Sequence, residues 1–121
     1  MLGATYRAYT VVKRCLHGKS WDMPDSSPLE RQLANIFATT IRARRKELGL
    51  SQEQVALRAE IDRNHYQLME SARSDRRSNK AVNPRLFTLF RLANALELPV
   101  EDLLVAASET FQEQVEAGET L

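Results

Sequence analysis

The sequence predicts an all-α domain of five helices, and three observations carry that expectation. Apolar residues recur at helical spacing, first at Leu29, Leu33, Ile36, Phe37, Ile41 and Leu48. Helix-capping side chains stand ahead of such segments at Ser27, Ser51 and Asp62, with Glu30 and Gln54 placed to close capping boxes on the first two. Strand signals are confined to Ala4 to Val12, rich in Thr, Tyr and Val, and a lone strand needs a partner.

The elements follow in order. Ser27-Pro28-Leu29-Glu30 sets a cap, a proline at the first helical position and a box partner, so the first helix begins there. Its last turn is basic, with Arg42, Arg44, Arg45 and Lys46, and Gly49 supplies a left-handed stop. Ser51-Gln52-Glu53-Gln54 opens a second helix. After a tight turn Asp62 caps a third, expected over 62–72, in which Arg63, Asn64, Gln67 and Leu68 share an outward arc while Tyr66 and Met69 turn inward. Asn83-Pro84 is expected to open a fourth helix whose inward stripe is Leu86, Leu89, Phe90, Ala93 and Leu96, with Phe87 off that line. A shorter fifth helix starts near Pro99, with Glu101 and Asp102 at its positive end and Leu103 and Leu104 inside. Beyond Ala107 the pattern weakens, and Phe111 and Val115 either continue the helix or belong to a frayed tail.

This gives three parts: an N-terminal extension over 1–26, a strand or a disordered segment, closed by the helix-breaking Met23-Pro24-Asp25-Ser26; a helical domain over 27–104; and an acidic C-terminal tail over 105–121. The 121 residues are 43% hydrophobic and 27% charged, as in an ordinary globular protein. Net charge is only +1, but the polarity is segregated. Glu109, Glu113, Glu116 and Glu119 fall in the tail, while Arg73, Arg76, Arg77 and Lys80 crowd the stretch before the fourth helix.

Several function classes lose support from the same residues. No apolar run approaches the roughly 20 residues that span a bilayer, and Arg7, Lys13 and Arg14 interrupt any signal-peptide core, so a cytoplasmic protein is expected. Cys15 is the single cysteine and forms no internal disulfide; with His17 it offers too few ligands for zinc. Neither His17 nor His65 stands in a catalytic constellation, and no phosphate-cradling loop occurs, so neither an enzyme nor a cofactor is expected. A core this small is marginal, because burial at roughly 25 cal/mol per Å² must offset a comparable conformational entropy. Dimerisation is therefore expected, with Phe87 and Val100 or Phe111 as candidate contacts.

Two short helices joined by a tight turn are a unit that presents its second helix to a nucleic-acid groove. With Ile41, Arg45, Gly49-Leu50-Ser51-Gln52, Val55-Ala56, Ile61, Tyr66, Met69-Glu70, Asn83-Pro84, Leu89, Ala93, Ala95-Leu96 and Leu103-Leu104, the stretch from Leu33 to Leu104 resembles the Cro/repressor-type (Xre-like) helix-turn-helix family of phage repressors and bacterial regulators. The resemblance implies a five-helix lambda-repressor-like domain that binds operator DNA as a two-fold dimer, with Arg45 and Glu70 as a structural ion pair. Two departures stand out: Glu60 occupies a turn position where the family commonly has Gly, and Ser71 to Val82 is longer than the usual link.

Candidate DNA contacts follow from chemistry as well as from the resemblance. Arg63 matches guanine O6 and N7, Asn64 or Gln67 matches adenine N6 and N7, and Leu68 suits a thymine methyl or a sugar. His65 is expected as a partly buried filler. Gln52, at a helix start where free N–H groups favour an anion, is expected to anchor a phosphate. Arg73, Arg76, Arg77 and Lys80 are expected to track phosphates or enter a minor groove. The implied function is a sequence-specific transcriptional regulator, a dimeric repressor inserting its third helix into the major groove of a palindromic operator. The rival reading is an antitoxin that binds its own operator and, through the N-terminal extension or acidic tail, a toxin protein. A protein-interaction module without DNA binding is disfavoured by the outward Arg63, Asn64 and Gln67.

Overall fold

The computed structural model describes residues 26–118; the expectations for Ala4 to Val12, Cys15 and His17 lie outside them. Five helices follow one another: α1 Pro28–Glu47, α2 Gln52–Ala59, α3 Arg63–Glu70, α4 Leu86–Ala95 and α5 Val100–Glu116. Among the described residues the β content is one isolated antiparallel bridge, Arg73 to Ala81.

Local sequence sets the helix starts. Ser27 Oγ accepts from the Glu30 N–H at 3.1 Å and Glu30 Oε1 accepts from the Ser27 N–H at 2.8 Å, with Pro28 between them. Ser51 and Gln54 repeat the device at 3.1 and 2.8 Å. Asp62 Oδ2 accepts from the Asn64 and His65 N–H groups at 3.0 and 3.4 Å, which satisfies two donors at the open end of α3. Gly49, at φ 69°, reverses the chain after α1. Glu60 takes the same left-handed conformation after α2, at φ 57°, and Ile61 N–H then donates to the Ala56 carbonyl at 3.0 Å. The turn between α2 and α3 thus keeps its form without glycine.

The core joins all five helices through Ile41, Val55, Tyr66, Met69, Leu92, Leu96 and Leu103, each essentially free of solvent contact. α5 packs along α1, and α2 packs against both α3 and α4. No helix among the described residues is long and apolar enough to cross a membrane.

The structure corrects three expectations. α3 stops at Glu70 instead of 72, because Ala72 enters the left-handed region at φ 61° and the Arg73 N–H folds back onto the Leu68 carbonyl at 3.0 Å. α4 starts at Leu86 rather than at Asn83-Pro84, because Arg85 is still extended, at ψ 156°, and takes the cap position in place of Asn83. Its inward arc is the buried Leu92, Ala93 and Leu96 with the half-buried Leu89, so Leu86 and Phe90, expected inward, are 63% and 51% exposed beside Phe87 at 74%. α5 is a 17-residue helix that passes without a break through the expected tail boundary at 105. Leu104, Ala107, Phe111 and Val115 recur at helical spacing and are half-buried, while Glu109, Glu113 and Glu116 face solvent.

The long connection after α3 is folded. Ser74 N–H donates to the Lys80 carbonyl at 3.0 Å and Val82 N–H to the Ala72 carbonyl at 3.0 Å. At the tip, Asp75 Oδ1 accepts from the Arg77 and Ser78 N–H groups at 2.8 and 2.6 Å, and Oδ2 accepts from Ser78 Oγ at 2.9 Å. Those bonds, from Ser78 first, hold the Asp75 carboxyl below the usual carboxylate range. Arg31 donates to the Asn79 carbonyl, Ala81 N–H donates to Ser26 Oγ at 2.7 Å, and Ala72, Ala81 and Val82 pack on Ala34 and Ala38 of α1.

Candidate nucleic-acid interface

α3 separates its two faces as its sequence predicts. Tyr66 and Met69 are fully buried, Glu70 is nearly so, Arg63 and Asn64 are exposed, and Gln67 and Leu68 are half-exposed. His65 is exposed, not a partly buried filler, because Asp62 sets the helix phase and turns it to the solvent side.

The buried face is held by charge. Arg45 Nε and Nη2 donate to Glu70 Oε2 and Oε1 at 2.6 and 3.1 Å, side-on, and Arg45 Nη1 donates to the Leu50 carbonyl at 3.0 Å. Tyr66 Oη also donates to Glu70 Oε2, and Gln52 Nε2 to Oε1 at 3.0 Å. Burial pushes the Glu70 carboxyl up, but the bonds from Arg45, Tyr66 and Gln52 and the Arg45 charge outweigh it and leave the group below its ordinary value. The bond to Glu70 holds Arg45 more firmly protonated. Burial, then the Glu70 contact, pushes the Tyr66 hydroxyl far above its usual range.

A polar relay runs outward from this carboxylate. Glu70 only accepts, so it must face the Gln52 amide nitrogen; the Gln52 oxygen is then left for Gln67 Nε2, which donates to it at 3.3 Å. Gln52 is thus engaged inside the protein on both ends of its side-chain amide. Its backbone stays at the open start of α2, where anions are favoured.

The basic connection meets the first turn of α3. Arg76 Nη2 donates to Asn64 Oδ1 at 3.1 Å. Arg73 and Arg77 are exposed, with their backbones used in the hydrogen bonds that shape the loop. The structure therefore brings Arg76 onto Asn64 in the first turn of α3, next to Arg63 in sequence, and Gln52 onto Gln67 one turn later. Sequence reasoning missed three participants. Asp75 organises the loop tip, and its spacing to Ser78 is a turn signal open to that reading. The Tyr66 hydroxyl on Glu70 follows from i, i+4 spacing. The bond from Arg31 to Asn79 carries no local signal.

Comparison with known proteins gives the following. The helix-turn-helix family model matches residues 41–75, from the second half of α1 through α3 into the loop. No curated protein matches the chain. Similar solved structures include the restriction-modification controller protein C.AhdI from Aeromonas hydrophila, 30% identical over 58% of this chain and 94% of that one, with a TM-score of 0.48. They also include the hypothetical transcription factor NHTF from Neisseria, 27% identical over 70% of this chain and 88% of that one, with a TM-score of 0.52.

Proposed function

The chain belongs to the Cro/repressor-type, Xre-like helix-turn-helix family, and from that premise we propose that it is a sequence-specific double-stranded DNA-binding regulator acting as a dimeric repressor. The observation that carries this reading is the division of α3: Tyr66, Met69 and Glu70 anchor one side to the core and leave Arg63, Asn64 and Gln67 on a rigid outer edge. An edge of that form fits the major groove of a palindromic operator. The description of the Neisseria structure as a hypothetical transcription factor agrees with it.

Arg63 has the donor fork for guanine O6 and N7. Gln67, with one amide hydrogen given to Gln52, keeps its oxygen for a base amino group. Leu68 suits a thymine methyl. The start of α2 and the exposed Arg73, Arg77 and Lys80 meet phosphates, which fix register without reading sequence. Repression follows from occupancy, since a bound domain excludes other proteins from the same stretch of DNA.

Selecting bound duplexes from a random pool at fixed salt tests the proposal. A palindromic consensus is expected, and an unenriched pool overturns it. Neutralising Arg73 and Arg77 should make the log affinity–log salt line shallower by about 0.9 for each phosphate that the protein no longer neutralises.

A further inference from the structure

We propose that Arg76 is a specificity-determining residue that acts through Asn64, and that the pair reads guanine in preference to adenine. The inference rests on the DNA-binding reading above and goes beyond it, because it gives a loop arginine a role in base choice rather than in holding phosphate.

The argument starts from the chemistry of the two side chains. An asparagine amide alone pairs with adenine, its oxygen accepting from N6 and its nitrogen donating to N7. In this protein Arg76 Nη2 donates to Asn64 Oδ1 at 3.1 Å. A guanidinium has five donors and no acceptor, so this contact fixes which way the amide lies: oxygen toward Arg76, nitrogen away. The oxygen already accepts a charge-assisted bond, and a positive group stands beside it. Asn64 Nδ2 makes no hydrogen bond to the described residues, and most of the Arg76 donors also remain available.

The composite therefore offers donors and positive charge. Guanine presents two acceptors, O6 and N7, along its major-groove edge, whereas adenine would place its N6 amino group against a guanidinium. Asn64 sits in the first turn of α3, the part of such a helix that contacts base edges. Arg76 can hold this place because the loop is ordered around it: Asp75 accepts three hydrogen bonds from Arg77 and Ser78, and the Arg73–Ala81 bridge closes the base.

The test uses the full chain and four proteins: wild type, Asn64→Ala, Arg76→Ala and Arg77→Ala, each checked for an unchanged far-UV spectrum. Duplex selection with wild type and Asn64→Ala identifies the base pair whose preference depends on Asn64. Wild type should favour guanine there. Arg76→Ala should shift the guanine-to-adenine affinity ratio toward adenine by about fivefold or more, within the range that one bidentate base pairing discriminates, and leave other positions unchanged. Arg77→Ala should weaken all duplexes alike. Adenine preferred by wild type at that position, or an Arg76→Ala protein that keeps the wild-type ratio, overturns the inference while the DNA-binding reading stands. A pool with no consensus for wild type overturns both.

Discussion

Arg45 and Glu70, 25 residues apart in sequence, meet side-on through two hydrogen bonds of 2.6 and 3.1 Å, with the carboxylate side chain only 5% exposed. Because Tyr66 and Gln52 donate to the same carboxylate, one charged group ties α1, α2 and α3 together.

Removing one partner leaves the other charge buried, so Arg45→Met should cost about 3–5 kcal/mol. The double variant Arg45→Met/Glu70→Leu should be less destabilised than Arg45→Met alone. Acid sensitivity follows from the same pair. Glu70 is held below its ordinary value in the folded state, so its contribution is complete above the unfolded carboxylate value of roughly 4.3 and is lost as the pH falls through the folded one. Urea midpoints measured across that window should drop less steeply for Glu70→Gln than for wild type. Parallel pH curves would exclude Glu70 as the group responsible.

Legibility in the sequence tracks how local each determinant is. The Ser27–Glu30 and Ser51–Gln54 boxes and the Asp62 cap are devices that span four residues, so the starts of α1, α2 and α3 and the outward arc of Arg63, Asn64 and Gln67 could be read directly. α4 could not be phased this way. Leu86, Phe87, Leu89, Phe90 and Leu92 place apolar groups around most of the helix, and only packing against the rest of the core selects the Leu89, Leu92, Ala93, Leu96 arc. The contact of Arg76 with Asn64 depends on the fold of the loop around Asp75 and has no periodic trace.

Glu60 and Gly49 allow a paired test of backbone conformation. Both are left-handed, at φ 57° and 69°, and a Cβ on Gly49 would meet nothing within 4 Å, so substitution there acts through the backbone alone. Glu60→Gly should stabilise the protein by about 1 kcal/mol and Gly49→Ala should destabilise it by about the same amount. Denaturant midpoints at unchanged slope give both values. A Glu60→Gly protein no more stable than wild type would show that side-chain interactions of Glu60 outweigh its backbone cost.

The proposed dimer has a candidate interface in the exposed apolar face of α4. Leu86, Phe87 and Phe90 are 63%, 74% and 51% exposed and share one side of the helix, whereas Val100 and Phe111, the other candidates from the sequence, are already half-buried. Large apolar groups gathered on one face mark an interaction site more often than scattered ones do. Phe87→Lys removes the most exposed of the three without touching the core, so far-UV signal and melting of the monomer fold should persist. Sedimentation should change from a dimer to a monomer. Affinity for a duplex carrying two half-sites should then fall about 10²-fold or more, because the second half-site is no longer engaged at high effective concentration, while a single half-site is bound as before. Wild-type protein sedimenting as a monomer, or a Phe87→Lys protein that remains dimeric, would rule out this face as the interface.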